Sequence, residues 1–255
     1  MAVHDRAQAE SLSEPDERSR ASRLEALERR VVSCRRCPRL VEWRQLVARE
    51  KRAAFLEEDY WGRPIPGFGD PEAGVYILGL APAAHGGNRT GRIFTGDRSG
   101  DWLFAALCRT GFANQPHSVH RDDGLRLTGA FIGAAVRCAP PANKPLPSER
   151  DNCLPYAAEE LELLTSVRVI VVLGGFAWDA ALRLHEPQRP RPRFGHGAEA
   201  KLPGGRTLLG CYHPSQQNTF TGRLTEPMTN SVLLRARDLA GLPSPAFGPD
   251  TPIAD

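Results

Sequence analysis

Apolar residues recur along this chain in short, nearly continuous runs that are separated by amphipathic stretches. The runs predict four strands, at residues 74–82, 127–138, 167–175 and 206–214. The stretches between and after them predict helices, at residues 101–111, from Ser148 onwards, at 176–185 and at 224–242. Strands that are buried on both faces and alternate with helices form parallel sheets. The pattern therefore predicts an α/β fold, a three-layer α/β/α sandwich with a central four-stranded parallel sheet.

Both ends of the chain lack this pattern. Residues 1–22 are polar and charged without periodicity, and residues 242–255 contain four prolines. We therefore expect a disordered N-terminal segment and a flexible Pro-rich tail. Residues 23–33 have helical apolar spacing and lead to Cys34. The expected domain organisation is a single domain over residues 23–241.

Composition adds little to this prediction. The chain has 255 residues, of which 41% are hydrophobic, and a net charge of +3 that is too small to identify a polyanionic partner. It contains no apolar run of about 18 residues, and its N-terminus lacks the apolar core of a signal peptide. We therefore expect a cytoplasmic protein with no membrane partner.

Most of the candidate chemistry follows the predicted strands. The four segments are GLAPAAHGGNRTGRIFTGD (79–97), APPANKP (139–145), GGF (174–176) and HPSQQNTFTGR (213–223). Ligands of open parallel sheets bind outside the carboxyl ends of the strands. The four segments are thus expected to converge on one crevice, which is rich in glycine, proline, amides and histidine.

Four of the six cysteines form a candidate metal site. Cys34 and Cys37 make a C-x2-C pair, Cys138 ends the second predicted strand, and Cys153 lies in the following helix. Four thiolates can hold an iron–sulfur cluster or a structural zinc, although zinc sites usually show two tight pairs. A redox-active C-x2-C pair with two buried thiols is the alternative.

Together these motifs resemble the uracil-DNA glycosylase superfamily. The C-x2-C pair, GLAPAAHGGNRTGRIFTGD, VRCAPPANKP and HPSQQN occur in the order of its iron–sulfur branches, families 4 and 5, and are most similar to family 5, the type-B enzymes. The similarity spans about residues 31–241. It implies the uracil-DNA glycosylase fold and removal of uracil from double-stranded DNA, leaving an abasic site. It also implies a [4Fe-4S] cluster on four ligands: Cys34, Cys37, Cys138 and Cys153.

Such an enzyme must flip the base out of the duplex and stabilise the negative charge that the leaving base acquires. His213 is expected to donate to a base carbonyl oxygen, as in the HPS motif of the family. Asn143 offers a donor and an acceptor that match the Watson–Crick edge of a pyrimidine. Asp97 is the nearest acidic residue that could orient water or stabilise the sugar cation. The alternatives are a structural histidine, a turn asparagine and a glycine-flanked surface aspartate.

Phe94 matches the phenylalanine that stacks on uracil in the family, whereas a core phenylalanine is its alternative. Where other branches carry the catalytic carboxylate, this chain has Ala81 or Leu80, and Ala134 stands where some branches place an asparagine beneath the base. A less polar pocket floor predicts looser discrimination, with hypoxanthine or damaged cytosines as additional substrates. Two polar residues are further candidates for base or phosphate contact: His85 and Asn88.

Segment 213–223 is also expected to enter the minor groove, where apolar wedges and amide or arginine side chains hold a kinked duplex open. Ser215 would bind a phosphate rather than act as a nucleophile, because no acid follows to orient His213 as a base. A solvated loop is the alternative. The candidate DNA-binding residues are Ser215, Gln216, Gln217, Asn218, Phe220 and Arg223.

These features favour a monofunctional glycosylase, since Lys144 is the only lysine in the four segments that could form a Schiff base. The missing carboxylate leaves open a non-catalytic, lesion-recognising DNA-binding protein. A zinc-dependent nucleic-acid hydrolase would need an open metal site, which the sequence does not show. We expect a monomeric, nucleoid-associated prokaryotic protein whose partner is double-stranded DNA.

Overall fold

The computed structural model of the protein describes residues 14–245. Its strands are β1 (Phe68–Gly69), β2 (Val75–Gly79), β3 (Ala130–Ala134), β4 (Val169–Leu173), β5 (Glu199–Lys201) and β6 (Thr207–Cys211). Its α-helices are α1 (Glu14–Val32), α2 (Pro38–Glu50), α3 (Gly87–Thr90), α4 (Arg98–Arg109), α5 (Pro147–Leu163), α6 (Gly175–Arg183), α7 (Gln216–Phe220) and α8 (Glu226–Ala240). Short 3-10 turns occupy Ala53–Phe55 and Pro141–Asn143.

The centre of the sheet is formed by four parallel strands in the order β3-β2-β4-β6. Ile77 pairs with Ile132 on one side and with Val171 on the other. Every residue of these four strands is buried. This confirms the predicted four-stranded parallel core, and its complete burial explains why the strands are continuous apolar runs rather than alternating ones.

Helices cover both faces of this sheet. On one face, Phe104 of α4 and Leu233 of α8 pack with Ile77. On the other face, Tyr76 packs with Trp178 of α6 and with residues of α5. Neighbouring residues of one strand thus enter different core layers, which is the predicted three-layer sandwich. None of the helices in the described residues is both long and apolar enough to span a bilayer.

Two short edge strands extend the sheet beyond the prediction. β1 pairs antiparallel with β3, and β5 pairs antiparallel with β6, so the full order is β1-β3-β2-β4-β6-β5. They have two and three residues, respectively. Segments of that length are too short to show a hydrophobic period, which is why the sequence pattern did not reveal them.

The predicted ends of the domain need correction. α1 begins at Glu14, so residues 14–22, which we expected to be unstructured, are helical. At the other end, Leu242 packs against the core, and the Pro243 carbonyl accepts a hydrogen bond from Arg237 Nε at 3.2 Å. The first residues of the predicted tail are thus anchored to the domain. Residues 1–13 and 246–255 lie outside the described residues.

Candidate active site

A cavity of about 530 Å³ lies at the carboxyl ends of the central strands. The segments that follow β2, β3 and β6 contribute to its wall, as the parallel topology requires. The segment after β4 lies behind the wall, because Gly174 packs against the Cβ of His213. The sequence candidates that the structure brings together here are Ala81, Phe94, Asp97, Asn143, His213, Ser215, Gln216 and Gln217.

Phe94 forms an aromatic wall of the cavity. Its ring lies on Gly79, where a Cβ would come within 2.7 Å of the ring. The centroids of the Phe94 and His213 rings are 6.2 Å apart, at an interplanar angle of 41°. The side chain is only 6% exposed, and its backbone has a left-handed φ of 53°. Phe94 is therefore a buried residue of the main hydrophobic core that also lines the cavity.

Asp97 combines a capping role with a place in the cavity wall. It is the N-cap of α4, where its Oδ1 accepts a hydrogen bond from the Gly100 amide at 3.0 Å. A Cβ on Gly86 would lie 2.2 Å from Oδ2, so the Gly86 backbone packs closely against the carboxylate. Burial raises the pKa of Asp97, while hydrogen bonds from the Gly100 and Ser99 amides oppose that rise. The carboxylate is therefore half-buried and fixed, unlike a solvated surface aspartate.

His213 follows β6 and is held by its own loop. Its carbonyl oxygen accepts hydrogen bonds from Asn218 Nδ2 and from the Ser215 amide, both at 2.8 Å. Burial lowers the pKa of His213 to about 4, so the imidazole is neutral at pH 7. Among residues 14–245, no group hydrogen-bonds to the imidazole ring. The ring N–H is thus free to donate to a ligand.

Asn143 reaches the cavity from the turn after β3. Asn143 and its neighbour Ala142 both have left-handed backbone conformations, with φ values of 56° and 53°. Asn143 is exposed and lines the cavity. Asparagine tolerates the left-handed region better than most residues because its side chain can hydrogen-bond locally. Alanine has no such side chain, so its left-handed conformation is strained. Contacts from elsewhere in the fold are therefore needed to hold this turn.

Three sequence candidates lie elsewhere. Ala134 pairs with Gly79 inside the sheet, is 1% exposed and does not line the cavity. His85 Nδ1 lies 3.0 Å from the hydroxyl of Tyr60, in a partly buried contact. Asn88 is completely buried, and its Nδ2 donates to the Arg44 carbonyl at 3.2 Å. Burial thus excludes Asn88 from the predicted contact with base or phosphate.

Cationic and aromatic side chains lie on and around helix α7, which begins beside the cavity. Ser215 is the N-cap of α7, and Phe220 at the end of that helix is 69% exposed. The guanidinium of Arg98 lies 5.4 Å from the Phe220 ring centroid, and that of Arg223 lies 4.8 Å from the Tyr212 centroid. Asn218 instead turns inward to the His213 carbonyl, so its predicted contact with DNA is replaced by a structural one.

Arg98 and Ser99 also line the cavity and were missed from the sequence. The available signal was the Asp97 cap, because the residues after an N-cap form the first turn of the helix. The apolar pattern predicts a helix start at residue 101, three residues too late to show this relation. The structure begins α4 at Arg98, next to the capping carboxylate.

A second, smaller cavity of about 10 Å³ lies between α2, the end of β3 and α5. Burial, with a smaller contribution from the neighbouring cysteines, raises the pKa of Cys138 to about 12 and that of Cys153 to about 11. No set of three His, Cys, Asp or Glu side chains within residues 14–245 is arranged to hold a single metal ion. Four cysteines line this cavity: Cys34, Cys37, Cys138 and Cys153.

Buried cations surround these thiols. Arg44, which is 2% exposed, donates from Nη1 to Cys138 Sγ at 3.2 Å. Arg137, which is 1% exposed, forms an ion pair with Glu160, yet its Nε and Nη1 are buried without a partner. Unpaired buried donors are costly. Four sulfur atoms that could bind metal therefore lie beside two buried guanidinium cations. This combination fits an anionic metal–thiolate group.

Comparisons with known proteins agree with this geometry. Residues 66–236 match the family model described as the Uracil DNA glycosylase superfamily. The chain is 56% identical over 214 residues to the Type-5 uracil-DNA glycosylase of Mycobacterium bovis, which covers 83% of this chain and 80% of that protein. It is 53% identical over 218 residues to the Type-5 uracil-DNA glycosylase of Thermus thermophilus, covering 86% and 99% of the two chains. The corresponding protein of Pyrobaculum aerophilum is 47% identical over 212 residues, covering 83% and 91%.

Proposed function

The chain belongs to the uracil-DNA glycosylase superfamily, and from this membership we propose that it hydrolyses the N-glycosidic bond of uracil in DNA as a step of DNA repair. The observation that carries the proposal is one cavity that combines an aromatic wall, a neutral histidine, an amide and a carboxylate. These are the groups that excision of a flipped base requires. The Type-5 uracil-DNA glycosylases that share about half of its residues support the same activity.

The cavity would hold the flipped base between its aromatic wall and its amide. Its volume of about 530 Å³ is in the range of small-molecule sites, which is roughly 300 to 1,000 Å³. Phe94 would stack on the base, and Asn143 would hydrogen-bond to its Watson–Crick edge. Because both residues are fixed by the fold, the base would be oriented before reaction rather than during it.

Bond cleavage would transfer the electrons of the glycosidic bond to the base. The neutral imidazole of His213 would donate to a base carbonyl oxygen, where this charge develops. Asp97 would orient a water molecule toward the sugar C1′ and stabilise the positive character of the sugar. Water supplies the hydroxyl group to C1′ and its remaining proton to the base, so an abasic site and free uracil are the products.

We also propose a wider substrate range than uracil, which the lining of the cavity favours. Leu80 and Ala81, one of which stands where other branches of the superfamily carry a catalytic carboxylate, both line the cavity. We propose that the small side chain of Ala81 leaves room for a purine, so that hypoxanthine is released as well. The exposed Phe220 and the neighbouring Arg98 would contact the duplex beside the vacated stack, which supports double-stranded DNA as the substrate.

We further propose that the four-cysteine cavity holds a [4Fe-4S] cluster. Cys34, Cys37, Cys138 and Cys153 would be its ligands, and the cluster would supply a structural link between segments distant in the sequence. Arg44 and Arg137 would offset the negative charge of the group. The cysteine segment before α2 would thereby be fixed to the end of β3.

Replacing Cys153 with serine is expected to lower the iron content from about four atoms per chain to below about one. Since this cavity is buried, the same change should lower the Tm. The measurement is iron and zinc analysis of purified protein, with its visible absorbance. Cys108→Ser is the matched control, because Cys108 lies on α4 outside the four-cysteine cavity. Full iron content in Cys153→Ser, or zinc in place of iron in the unaltered protein, would refute the cluster.

The proposed activity is tested by single-turnover release of base from two duplexes, one with uracil and one with hypoxanthine, beside an undamaged duplex. Release of both bases supports the proposed function and its wider range. Release of uracil alone would restrict the enzyme to uracil. Tight binding without release of either base would favour a lesion-recognising protein and would overturn the proposed catalysis.

A further inference from the structure

The loops of the cavity contain strained backbone. Within residues 14–245, four non-glycine residues have a left-handed φ: Lys51, Phe94, Ala142 and Asn143. Three of them belong to the loops that form the cavity, and two of those three are consecutive. Non-glycine residues stay in this region only where the surrounding structure holds them there. The turn at Ala142 and Asn143 must therefore be held by a contact from outside the turn.

Arg39, in the first turn of α2, makes that contact. Its Nη2 donates to the Lys144 carbonyl, directly after Asn143, at 3.2 Å. The remaining hydrogen bonds of this turn are local ones, from the Asn143 and Lys144 amides to the carbonyls of residues 140 and 141. In the described part of the chain, Arg39 thus provides the only hydrogen bond that reaches residues 142–144 from a distant segment.

Arg39 is itself held by a carboxylate. Its Nε donates to Glu149 Oε1 at 2.8 Å and its Nη2 to Oε2 at 2.7 Å, which is the bidentate geometry of a strong pair. Glu149 is 5% exposed and also accepts a hydrogen bond from the Leu146 amide at 2.7 Å. The buried carboxylate of Glu149 therefore fixes both the Arg39 side chain and the backbone at Leu146, just after the turn.

We propose that Arg39 is a positioning residue that, together with Glu149, holds Asn143 in the conformation that recognises the base. This proposal rests on the proposed function of Asn143. Arg39 does not line the cavity and would touch no substrate, so it would act only through the turn. Its loss would leave Asn143 present but poorly placed, which lowers the chemical rate more than the affinity for DNA.

The test is a double-mutant cycle on single-turnover release of uracil. Arg39→Met is expected to lower the rate at saturating enzyme about tenfold, with duplex affinity unchanged within about twofold. In an Asn143→Ala background, Arg39→Met is expected to cause no further loss, because Arg39 acts only through the Asn143 side chain, which is then absent. Arg39→Lys should restore part of the rate. An unchanged rate, or an equal loss in both backgrounds, would overturn the proposal.

Arg235→Met is the matched control. Arg235 also makes a bidentate contact with a glutamate, Glu199, at 2.7 and 3.2 Å, but on an exposed surface outside the cavity. The rate of this variant should equal that of the unaltered protein. If Arg235→Met slowed uracil release as much as Arg39→Met, the loss would reflect a general effect of breaking an ion pair. That result would contradict the proposal.

Hydrogen exchange gives a readout that does not depend on activity. The peptide over residues 139–146 is expected to exchange faster in Arg39→Met and at the original rate in Arg235→Met. Unchanged exchange in Arg39→Met would overturn the proposal even in an active enzyme. Absence of uracil release from the unaltered protein would instead overturn the proposed function, and faster exchange would still support the contact that Arg39 makes with the turn.

Discussion

Replacing His213 with alanine is expected to slow the release of uracil about a hundred- to a thousandfold. In the proposed mechanism the imidazole would donate to an oxygen whose negative charge develops only as the glycosidic bond breaks, so its loss should affect the chemical rate and not ground-state binding. The measurement is single-turnover release at saturating enzyme, with duplex affinity measured separately. We expect the affinity to change by less than about twofold, because the proposed role of His213 is to stabilise the transition state.

The pH dependence distinguishes a neutral donor from a cation. Burial lowers the pKa of His213 to about 4, so the imidazole is already uncharged at pH 6. The loss caused by His213→Ala should therefore be the same at pH 6 and at pH 8. His120→Ala, at a side chain that is 61% exposed, is the control and should leave the rate unchanged. A loss that is large at pH 6 and disappears at pH 8 would show that the charged imidazolium acts.

Much of this site could be predicted because parallel topology converts chain order into spatial proximity. The four buried strands are visible as apolar runs, and the loops after them must lie at one edge of the sheet. His213 and Asn143 are 70 positions apart in the numbering, yet both line the cavity for that reason. Asp97 and Phe94 lie in the loop after β2 and reach the same place.

The contacts that hold these residues could not be predicted in the same way. Arg39 and Glu149 are 110 positions apart, and neither changes the hydrophobic period of its helix. Asn88 has the composition of a binding residue, and only the fold shows that it is buried against Arg44. A pairwise contact between distant polar residues leaves no periodic signal, so its geometry has to come from the structure.

Two glycines allow Phe94 and Asp97 to pack closely against the backbone. A side chain at Gly79 would collide with the Phe94 ring, and one at Gly86 would collide with the Asp97 carboxylate. Neither glycine has a left-handed φ, so close approach and not backbone freedom explains them. The stacking wall and the carboxylate both depend on this absence of side chains, which is a packing requirement rather than a catalytic one.

Replacing Asp97 with asparagine is expected to slow uracil release about a hundredfold. Asparagine keeps an oxygen that can accept the hydrogen bond from the Gly100 amide, and it is as good an N-cap as aspartate. The helix start should therefore be preserved, and the Tm should stay within about two degrees of the original. The change removes the negative charge that, in the proposed mechanism, would lie beside the sugar. The measured loss of rate then reports the effect of the charge, because the helix cap is kept.

The control for Asp97→Asn lies one turn further along the same helix. Asp101→Asn removes a carboxylate from the first turn of α4 at a residue that does not line the cavity, and it should leave the rate unchanged. If Asp97→Asn releases uracil at the original rate, Asp97 serves only as a helix cap. The attacking water would then be oriented without a carboxylate, and Leu80 and Ala81, which also line the cavity, would be the next positions to test.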